Sequence, residues 1–165
     1  MVKVIIVTGT PGTGKTTLAK ALAKRLGFIY VDVNKVIEKC RLSEGYDQRR
    51  RCKIVDTENL SKALIKSINR ASKSLVIDSH LSHYLPPEFV GLCIVTRCRL
   101  GELKKRLEAK GYNEKKVREN LDCEITDFCL IEAKELGHDV LEVDTTNGFD
   151  LCKTSAAVVN RLSQE

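Results

Sequence analysis

The sequence has no long apolar run. The longest one near its start covers residues 4–7 and ends in a glycine-rich segment. A signal peptide needs an apolar core of roughly 7 to 15 residues, and a membrane helix needs about 20. We therefore expect a soluble, cytoplasmic protein with no membrane partner.

The sequence also lacks paired cysteines. Its seven cysteines are scattered, none of them forms a C-x-x-C pair, and no histidine stands at ligand spacing from two of them. This pattern predicts neither a zinc site nor a disulfide framework. Reduced and mostly buried thiols are the expected state. The alternative is a disulfide of the kind found in heat-adapted intracellular proteins.

Internal repeats, low-complexity segments and interdomain linkers are absent as well. The 165 residues are 42% hydrophobic and 30% charged, which is enough apolar material for a core and too much for a disordered chain. The length fits one domain. We expect a single domain over residues 1–165.

Charge is distributed unevenly along the chain. Residues 1–120 carry 25 basic and 12 acidic side chains, a net charge of +13, whereas residues 121–165 carry three basic and ten acidic ones, a net charge of −7. The basic part predicts an anionic partner, and both polyphosphate and RNA fit this charge.

Short apolar segments alternate with amphipathic segments. Strands are predicted at residues 3–8, 28–33, 74–78, 91–96 and 140–144. Helices are predicted at residues 15–26, 34–41, 57–71, 100–110, 114–137 and 149–162. Residues 44–53 form a polar excursion. The alternation predicts an α/β fold with a doubly wound, five-stranded parallel sheet and helices on both faces, and such sheets bind ligands beyond the carboxyl ends of their strands.

The first predicted strand and the first predicted helix are joined by Gly9-Thr10-Pro11-Gly12-Thr13-Gly14-Lys15-Thr16, which fits the motif G-x-x-x-x-G-K-[ST]. Glycines let backbone N–H groups approach a polyphosphate closely, and the helix N-terminus faces the same anion. Lys15 is expected to bridge the β- and γ-phosphates, and the Thr16 hydroxyl to coordinate Mg²⁺. The motif predicts binding of a nucleoside triphosphate.

The third predicted strand ends at Asp78, where a carboxylate can hold Mg²⁺ opposite the loop lysine. A turn or helix cap is the structural alternative for this residue. His80, two residues later, is expected to point into the same crevice and to orient a water or an acceptor hydroxyl. A structural loop histidine is its alternative. His83 and His138 are interpreted as surface histidines without a role.

Between Arg97 and Arg118 the chain has nine basic residues and three acidic ones. Pairs such as Glu102 with Arg106 explain part of this charge as ordinary helix-surface pairing. Arg97 and Lys110 remain as cations for phosphoryl oxygens. A basic helix-turn-helix hinged near residues 101 and 111 could close over a nucleotide and exclude water. RNA binding is the competing use of the same charge.

Four stretches carry a family resemblance: G-T-P-G-T-G-K-T-T at 9–17, E-G-Y-D at 44–47, V-I-D-S-H at 76–80, and R-L-E-A-K-G-Y-N-E-K-K-V-R-E-N-L-D-C-E-I at 106–125. The chain resembles nucleoside-monophosphate kinases, and among them the small adenylate kinases of eukaryotic nuclei and archaea. That family also acts as an ATPase in maturation of the small ribosomal subunit. The resemblance implies a monophosphate-binding insert at about 32–55 and a lid at about 109–119.

The resemblance also implies site residues. ATP would be bound by Gly12, Thr13, Gly14, Lys15, Thr16, Thr17 and Lys110. Catalytic roles would fall to Lys15, Asp78, His80 and Arg106, and the Mg²⁺ ligands would be Thr16 and Asp78.

Three departures from the family pattern affect these assignments. Lys110 stands where the family usually has an arginine, so the charge is kept and the bidentate fork is lost. Residues 34–38 lack the family's G-D-L-x-R pattern, which leaves Lys39 and Arg41 as the expected clamp for the monophosphate. Arginines at 49–51 replace a stretch that is often acidic and favour an anionic partner for the insert.

The resulting hypothesis is a Mg²⁺-dependent adenylate kinase that converts ATP and AMP to two ADP. The resemblance also implies a small-subunit ribosomal protein and rRNA as partners, and ATPase activity in 18S or 16S rRNA maturation. One alternative is an ATPase assembly factor with little kinase activity. Another is a plain RNA-binding module, which would not need the lysine of the phosphate motif.

Overall fold

The computed structural model describes residues 2–47 and 52–164. Its strands are β1 (Val4–Thr8), β2 (Ile29–Asp32), β3 (Ser43–Asp47), β4 (Cys52–Val55), β5 (Leu75–Asp78), β6 (Leu92–Arg97) and β7 (Val140–Asp144). Its helices are α1 (Lys15–Leu26), α2 (Val33–Lys39), α3 (Thr57–Asn69), α4 (Leu100–Ala109), α5 (Glu114–Ile125), α6 (Phe128–Glu135) and α7 (Leu151–Leu162). Two short 3-10 turns, Ser82–Tyr84 and Pro87–Phe89, lie between β5 and β6.

Five strands form one parallel sheet in the order β2-β5-β1-β6-β7. β1 lies at the centre, and all five of its residues are buried. A strand covered on both faces is apolar throughout, which explains its unbroken run of β-branched residues. The predicted five-stranded parallel sheet is confirmed.

Helices cover both faces of this sheet. Alternate residues of β1 point to opposite sides, so Ile5 and Val7 belong to one core and Val4 and Ile6 to another. The first core contains side chains of α1 and α7, including Leu18, Leu22, Val158 and Leu162. The second contains side chains of α2, α3 and α6, including Ile37, Leu60, Leu64 and Leu130. The doubly wound architecture is therefore confirmed.

The structure differs from the predicted elements in two places. The segment expected to be a polar excursion contains β3 and β4, which pair antiparallel; the arginines at 49–51 lie outside the described residues. The single helix predicted over 114–137 is two helices, because Asp127 adopts a left-handed conformation (φ 52°) between α5 and α6. Nothing in the local sequence, such as a glycine or proline, marks this break.

The carboxyl ends of the parallel strands meet at one edge of the sheet. Val7 is in register with Asp78, Asp78 with Asp32, and Thr8 with Val95. The loops that leave β1 and β5 therefore start side by side, and the loop that leaves β7 starts at the same edge beyond β6. This edge holds the glycine-rich loop and the residues that follow Asp78 and Asp144.

In the described ranges, none of the helices has the length and apolar character required to cross a membrane.

Candidate functional site

The loop between β1 and α1 is shaped by glycines in left-handed conformations. Gly9, Gly12 and Gly14 have φ values of 141°, 91° and 85°. A Cβ on Gly12 would lie 2.9 Å from the Cδ2 atom of Leu107 on α4, and a Cβ on Gly9 would lie 2.5 Å from the Oγ1 atom of Thr96. These glycines thus allow close packing against α4 and β6, a reason for them beyond the expected approach of a phosphate.

Lys15, the first residue of α1, folds back over this loop. Its Nζ atom donates hydrogen bonds to the carbonyl oxygens of Gly9 (2.9 Å) and Thr10 (3.1 Å). Burial lowers the pKa of Lys15 to about 8, and the carboxylate of Asp78 opposes this shift. The ammonium therefore lies at the centre of the loop, beside the helix N-terminus, where an anion would be bound.

Thr16 and Asp78 come together on one side of Lys15. The Thr16 hydroxyl donates a 2.6 Å hydrogen bond to Oδ2 of the buried Asp78, and the Tyr30 hydroxyl donates a second one of 2.8 Å to the same oxygen. A hydroxyl and a carboxylate are hard oxygen donors of the type that Mg²⁺ takes from protein alongside phosphate and water. The pair fits the magnesium ligands expected from the sequence. Tyr30 is a further residue here to which the sequence analysis gives no role.

His80 lies on the other side of the loop. Its side chain is exposed and borders a cavity of about 520 Å³ together with Thr10, Pro11, Lys116 and Asn120. Desolvation by the protein around the cavity, and after it the charge of Lys15, lowers the pKa of His80 to about 4. The imidazole is therefore neutral near pH 7 and can accept a hydrogen bond from a water or a hydroxyl in this cavity.

A second cavity, of about 500 Å³, opens on the α1 side of the loop. It is lined by Gly12, Gly14, Lys15, Thr16, Thr17, Arg106, Lys110, Thr145, Gly148 and Phe149, among others. Arg106 donates to the carbonyl oxygens of Thr145 (2.7 Å) and Thr146 (3.1 Å) and pairs with Glu102. The loop after β7, unassigned by the sequence, thus becomes a wall of this cavity.

The remaining predicted site residues have different surroundings. Thr13 is buried and donates its hydroxyl to the carbonyl of Thr10 at 2.6 Å, so it supports the loop from within. Lys39 and Arg41 are exposed at the end of α2. Within the described part of the chain, neither of them lines the two cavities beside the loop.

Arg97 does not face the loop as a free cation. Its guanidinium pairs with Glu124 (3.1 Å), Asp127 and Glu142 (3.7 Å). Arg97 was expected from the sequence to contact phosphoryl oxygens. Its ion pairs instead hold α5 and β7 against β6. The predicted pair of Arg106 with Glu102 is present, and Lys104 pairs with Glu108 in the same way on this helix.

Glu124 is a buried carboxylate that sequence reasoning missed. One of its oxygens accepts from the Thr10 hydroxyl at 2.7 Å, and the other accepts from Arg97 Nε and the Cys98 N–H, both at 3.1 Å. It therefore ties the phosphate loop to α5 and to the end of β6. A signal was available, because Glu124 lies seven residues after Val117 and so shares its inward helical face.

The interpretation of His83 and His138 as surface residues was wrong, because both are buried. That interpretation assumed that an isolated histidine lies at the surface. His83 instead contacts Thr8 at the base of the loop, and the His138 Nε2 atom lies 2.8 Å from the His83 carbonyl oxygen.

Comparison with known proteins gives a consistent family match. The AAA domain family model matches residues 5–127. The chain is 42% identical over 143 residues to a protein of Methanocaldococcus jannaschii named "Putative adenylate kinase", covering 87% of this chain and 77% of that protein. It is 34% identical over 131 residues to the "Adenylate kinase isoenzyme 6 homolog" of Caenorhabditis elegans, covering 79% and 72%.

Solved structures share the fold at lower identity. A shikimate kinase from Acinetobacter baumannii has a TM-score of 0.64 at 16% identity, and the match covers 99% of this chain and 94% of that one. At this identity the likeness concerns the fold alone. It agrees with the parallel sheet and the glycine-rich loop described above.

Proposed function

We propose, because this chain belongs to the adenylate kinase-like family of the two relatives above, that it transfers the γ-phosphoryl group of ATP to AMP and yields two ADP. The observation that carries this proposal is the convergence of Lys15, Thr16 and Asp78 around one glycine-rich loop between two open cavities. Phosphoryl transfer requires positioning and charge stabilisation rather than a covalent enzyme intermediate. These residues supply both.

The cavity on the α1 side of the loop is the proposed site of ATP. Loop N–H groups and the N-terminus of α1 would bind the phosphates, and Lys15 would exchange its two carbonyl partners for phosphate oxygens. Arg106, Lys110 and Thr17 line the same cavity and would contact the phosphates or the nucleoside. This assigns the donor site to residues 12–17 together with the wall formed by α4 and the loop after β7.

Mg²⁺ is the proposed cofactor of this reaction. Thr16 and Asp78 would hold it, and the ion would supply positive charge to the β- and γ-phosphate oxygens. Tyr30 would keep the Asp78 carboxylate oriented through its hydrogen bond to Oδ2.

The acceptor is assigned to the opposite side of the loop. His80 borders the cavity there, and its neutral ring would accept a hydrogen bond from the acceptor or from a water. We assign residues 32–55 as the monophosphate-binding insert and residues 109–119 as the lid. Lys39 and Arg41 of the insert do not line this cavity and would have to move toward it to contact the acceptor phosphate. Both segments would belong to the single domain proposed for residues 1–165.

A product count tests this function. The protein is incubated with Mg·ATP and each nucleoside monophosphate in turn, and ADP, new diphosphate and free phosphate are measured. A kinase gives ADP and the new diphosphate in equal amounts, with AMP as the best acceptor. Lys15→Ala should abolish turnover with the fold intact, whereas Lys24→Ala, at an exposed position of α1, should leave it unchanged. Retained turnover in Lys15→Ala would overturn the assignment.

A second candidate function is that of an ATPase acting in maturation of the small ribosomal subunit. His80 favours it, because a neutral imidazole in an open cavity beside the loop suits a water molecule as well as AMP. The exposed basic residues of α4 and α5, which include Lys104, Lys105, Lys115 and Arg118, support an RNA partner. Free phosphate released with ADP, and stimulated by rRNA or a small-subunit ribosomal protein, would favour this role in the cytoplasm or nucleus. Equal yields of ADP and new diphosphate under all conditions would count against it.

A further inference from the structure

A buried polar network lies beneath the phosphate loop, outside the site described above. His83, in the 3-10 turn Ser82–Tyr84, is 1% exposed. Its Nδ1 atom lies 2.8 Å from the Thr8 hydroxyl oxygen, and its Nε2 atom lies 2.9 Å from a carboxylate oxygen of Glu132 on α6. Thr8 is the last residue of β1, directly before Gly9. One imidazole thus connects α6 to the start of the loop.

The partners of His83 determine its hydrogen-bonding state. A carboxylate only accepts, and Glu132 already accepts the Tyr84 hydroxyl at 2.9 Å. The His83 Nε2 atom therefore carries the proton, and Nδ1 accepts from the Thr8 hydroxyl. His138 donates from Nε2 to the His83 carbonyl at 2.8 Å, which fixes the backbone of the same residue.

We propose that His83, held by Glu132, is a positioning residue for the phosphate loop, because its neutral ring fixes the Thr8 hydroxyl and with it the backbone that leads into Gly9. The geometry beyond Thr8 is tight. The Thr8 carbonyl accepts from Thr96 Oγ1 at 3.2 Å, and the Gly9 carbonyl holds the Lys15 ammonium at 2.9 Å. A shift of Thr8 would therefore move a carbonyl that positions Lys15. This inference rests on the proposed role of the loop in binding ATP.

Protonation of His83 would break this arrangement. An imidazolium has two N–H groups, so Nδ1 would donate to the Thr8 hydroxyl instead of accepting from it, and that hydroxyl would have to turn its own hydrogen elsewhere. Burial lowers the pKa of His83, and Glu132 opposes this shift. The other groups that face the ring are Tyr84, His138 and, from the loop side, His80. The loop geometry is thus retained at neutral pH and lost in acid.

Two substitutions distinguish the contact of the ring with Thr8 from its contact with Glu132. In His83→Asn, an amide oxygen lies near the position of Nδ1 and can still accept from Thr8. In His83→Gln, the amide reaches the position of Nε2 and contacts Glu132 without serving Thr8. We expect His83→Gln to bind Mg·ATP about five- to tenfold more weakly, the range of one hydrogen bond, and His83→Asn to stay within about twofold of the wild type.

The role of Glu132 is tested through the pH profile of Mg·ATP binding and turnover. The acid limb is the pH range in which binding and turnover are lost as His83 becomes protonated. Because the Glu132 charge raises the pKa of His83, Glu132→Gln should move this limb to lower pH. In the His83→Asn background the limb that His83 causes should be absent, so Glu132→Gln should not change the pH profile. Glu135→Gln, which changes an exposed carboxylate of the same helix, is the matched control.

Several results would overturn the inference. Equal losses of melting temperature in His83→Asn and His83→Gln with unchanged ATP binding would make the network purely structural, as would an unmoved acid limb in Glu132→Gln. If the His83 variants do not fold, Thr8→Val and Thr8→Ser make the same comparison, since only serine keeps the hydroxyl. Failure of the wild-type protein to bind Mg·ATP would refute the proposed function itself, which is a different result.

Discussion

Nucleotide binding by this chain should take up a proton at alkaline pH. Burial lowers the pKa of Lys15 in the free protein from its ordinary 10.5 to about 8. A bound polyphosphate would surround the ammonium with negative charge and return the pKa to at least its ordinary range. At pH 9 about nine tenths of the free protein would carry a neutral Lys15, so binding would take up about 0.9 proton, compared with about 0.1 at pH 7.

The same linkage sets the loss of affinity. Above pH 8, the affinity for Mg·ATP falls nearly tenfold with each pH unit. Binding requires one proton, and the proton concentration falls tenfold with each unit. Mg·ATP should therefore bind about tenfold more weakly at pH 9 than at pH 7. The loss should level off once the pH approaches the pKa of Lys15 in the complex.

Titration calorimetry in two buffers of different ionisation enthalpy measures this proton uptake directly. Lys24→Met, which removes an exposed ammonium on the same helix, should keep both the uptake and the affinity change. In Lys15→Met, any residual binding should lose the uptake at pH 9. An uptake near zero for the wild type at pH 9 would refute the reasoning, because Lys15 would then be charged in the free protein.

Unfolding is not the expected cause of this alkaline weakening. Between pH 8 and 10.5 the unfolded chain binds more protons at Lys15 than the folded chain does. The contribution of Lys15 to the free energy of unfolding therefore rises with pH in this window. Thermal melts of the free protein at pH 7 and 9 check that the fold persists where binding weakens.

Two further predictions concern residues on the other side of the loop. His80→Ala should depress ATP hydrolysis more than phosphoryl transfer to AMP, because the ring is placed to orient a water. If a product assay shows equal losses of both activities, His80 is only a positioning residue. Glu124→Gln should lower the free energy of unfolding by about 1–3 kcal/mol, because Arg97 loses its buried anionic partner. Urea denaturation measures that loss, and Asp122→Asn, at an exposed position of α5, should change it little.

Much of the fold and of the donor site could be predicted because the signals are local. The strand before Gly9, the motif at 9–16 and the helix from Lys15 to Leu26 are consecutive, and each has its own pattern of apolar residues or glycines. Asp78 could be placed because parallel strands end at a common edge. Residues that act through their position at the end of a strand are therefore within reach of sequence reasoning.

The supporting residues could not be found in this way, because their partners are distant in sequence. Glu124 contacts Thr10 across 114 positions, and His83 contacts Thr8 across 75. A buried carboxylate or imidazole resembles an exposed one until its partner is known. For Arg97 the sequence predicted a ligand contact that the structure does not show. The residue lies at a strand end, but its guanidinium is paired with Glu124 and Asp127.

The contacts of Glu124 and His83 with the phosphate loop have a common structural basis in the helices α5 and α6. The phosphate loop is held from below by two consecutive helices, α5 through Glu124 at Thr10 and α6 through Glu132 and His83 at Thr8. The left-handed residue Asp127 between the helices turns the chain so that both carboxylates face the loop, and it also pairs with Arg97 at the end of β6. The break that the sequence did not predict is thus the feature that lets one stretch of chain support the loop at two points. A glycine-rich motif specifies which backbone groups bind phosphate, but the support of that backbone comes from residues 75 or more positions away.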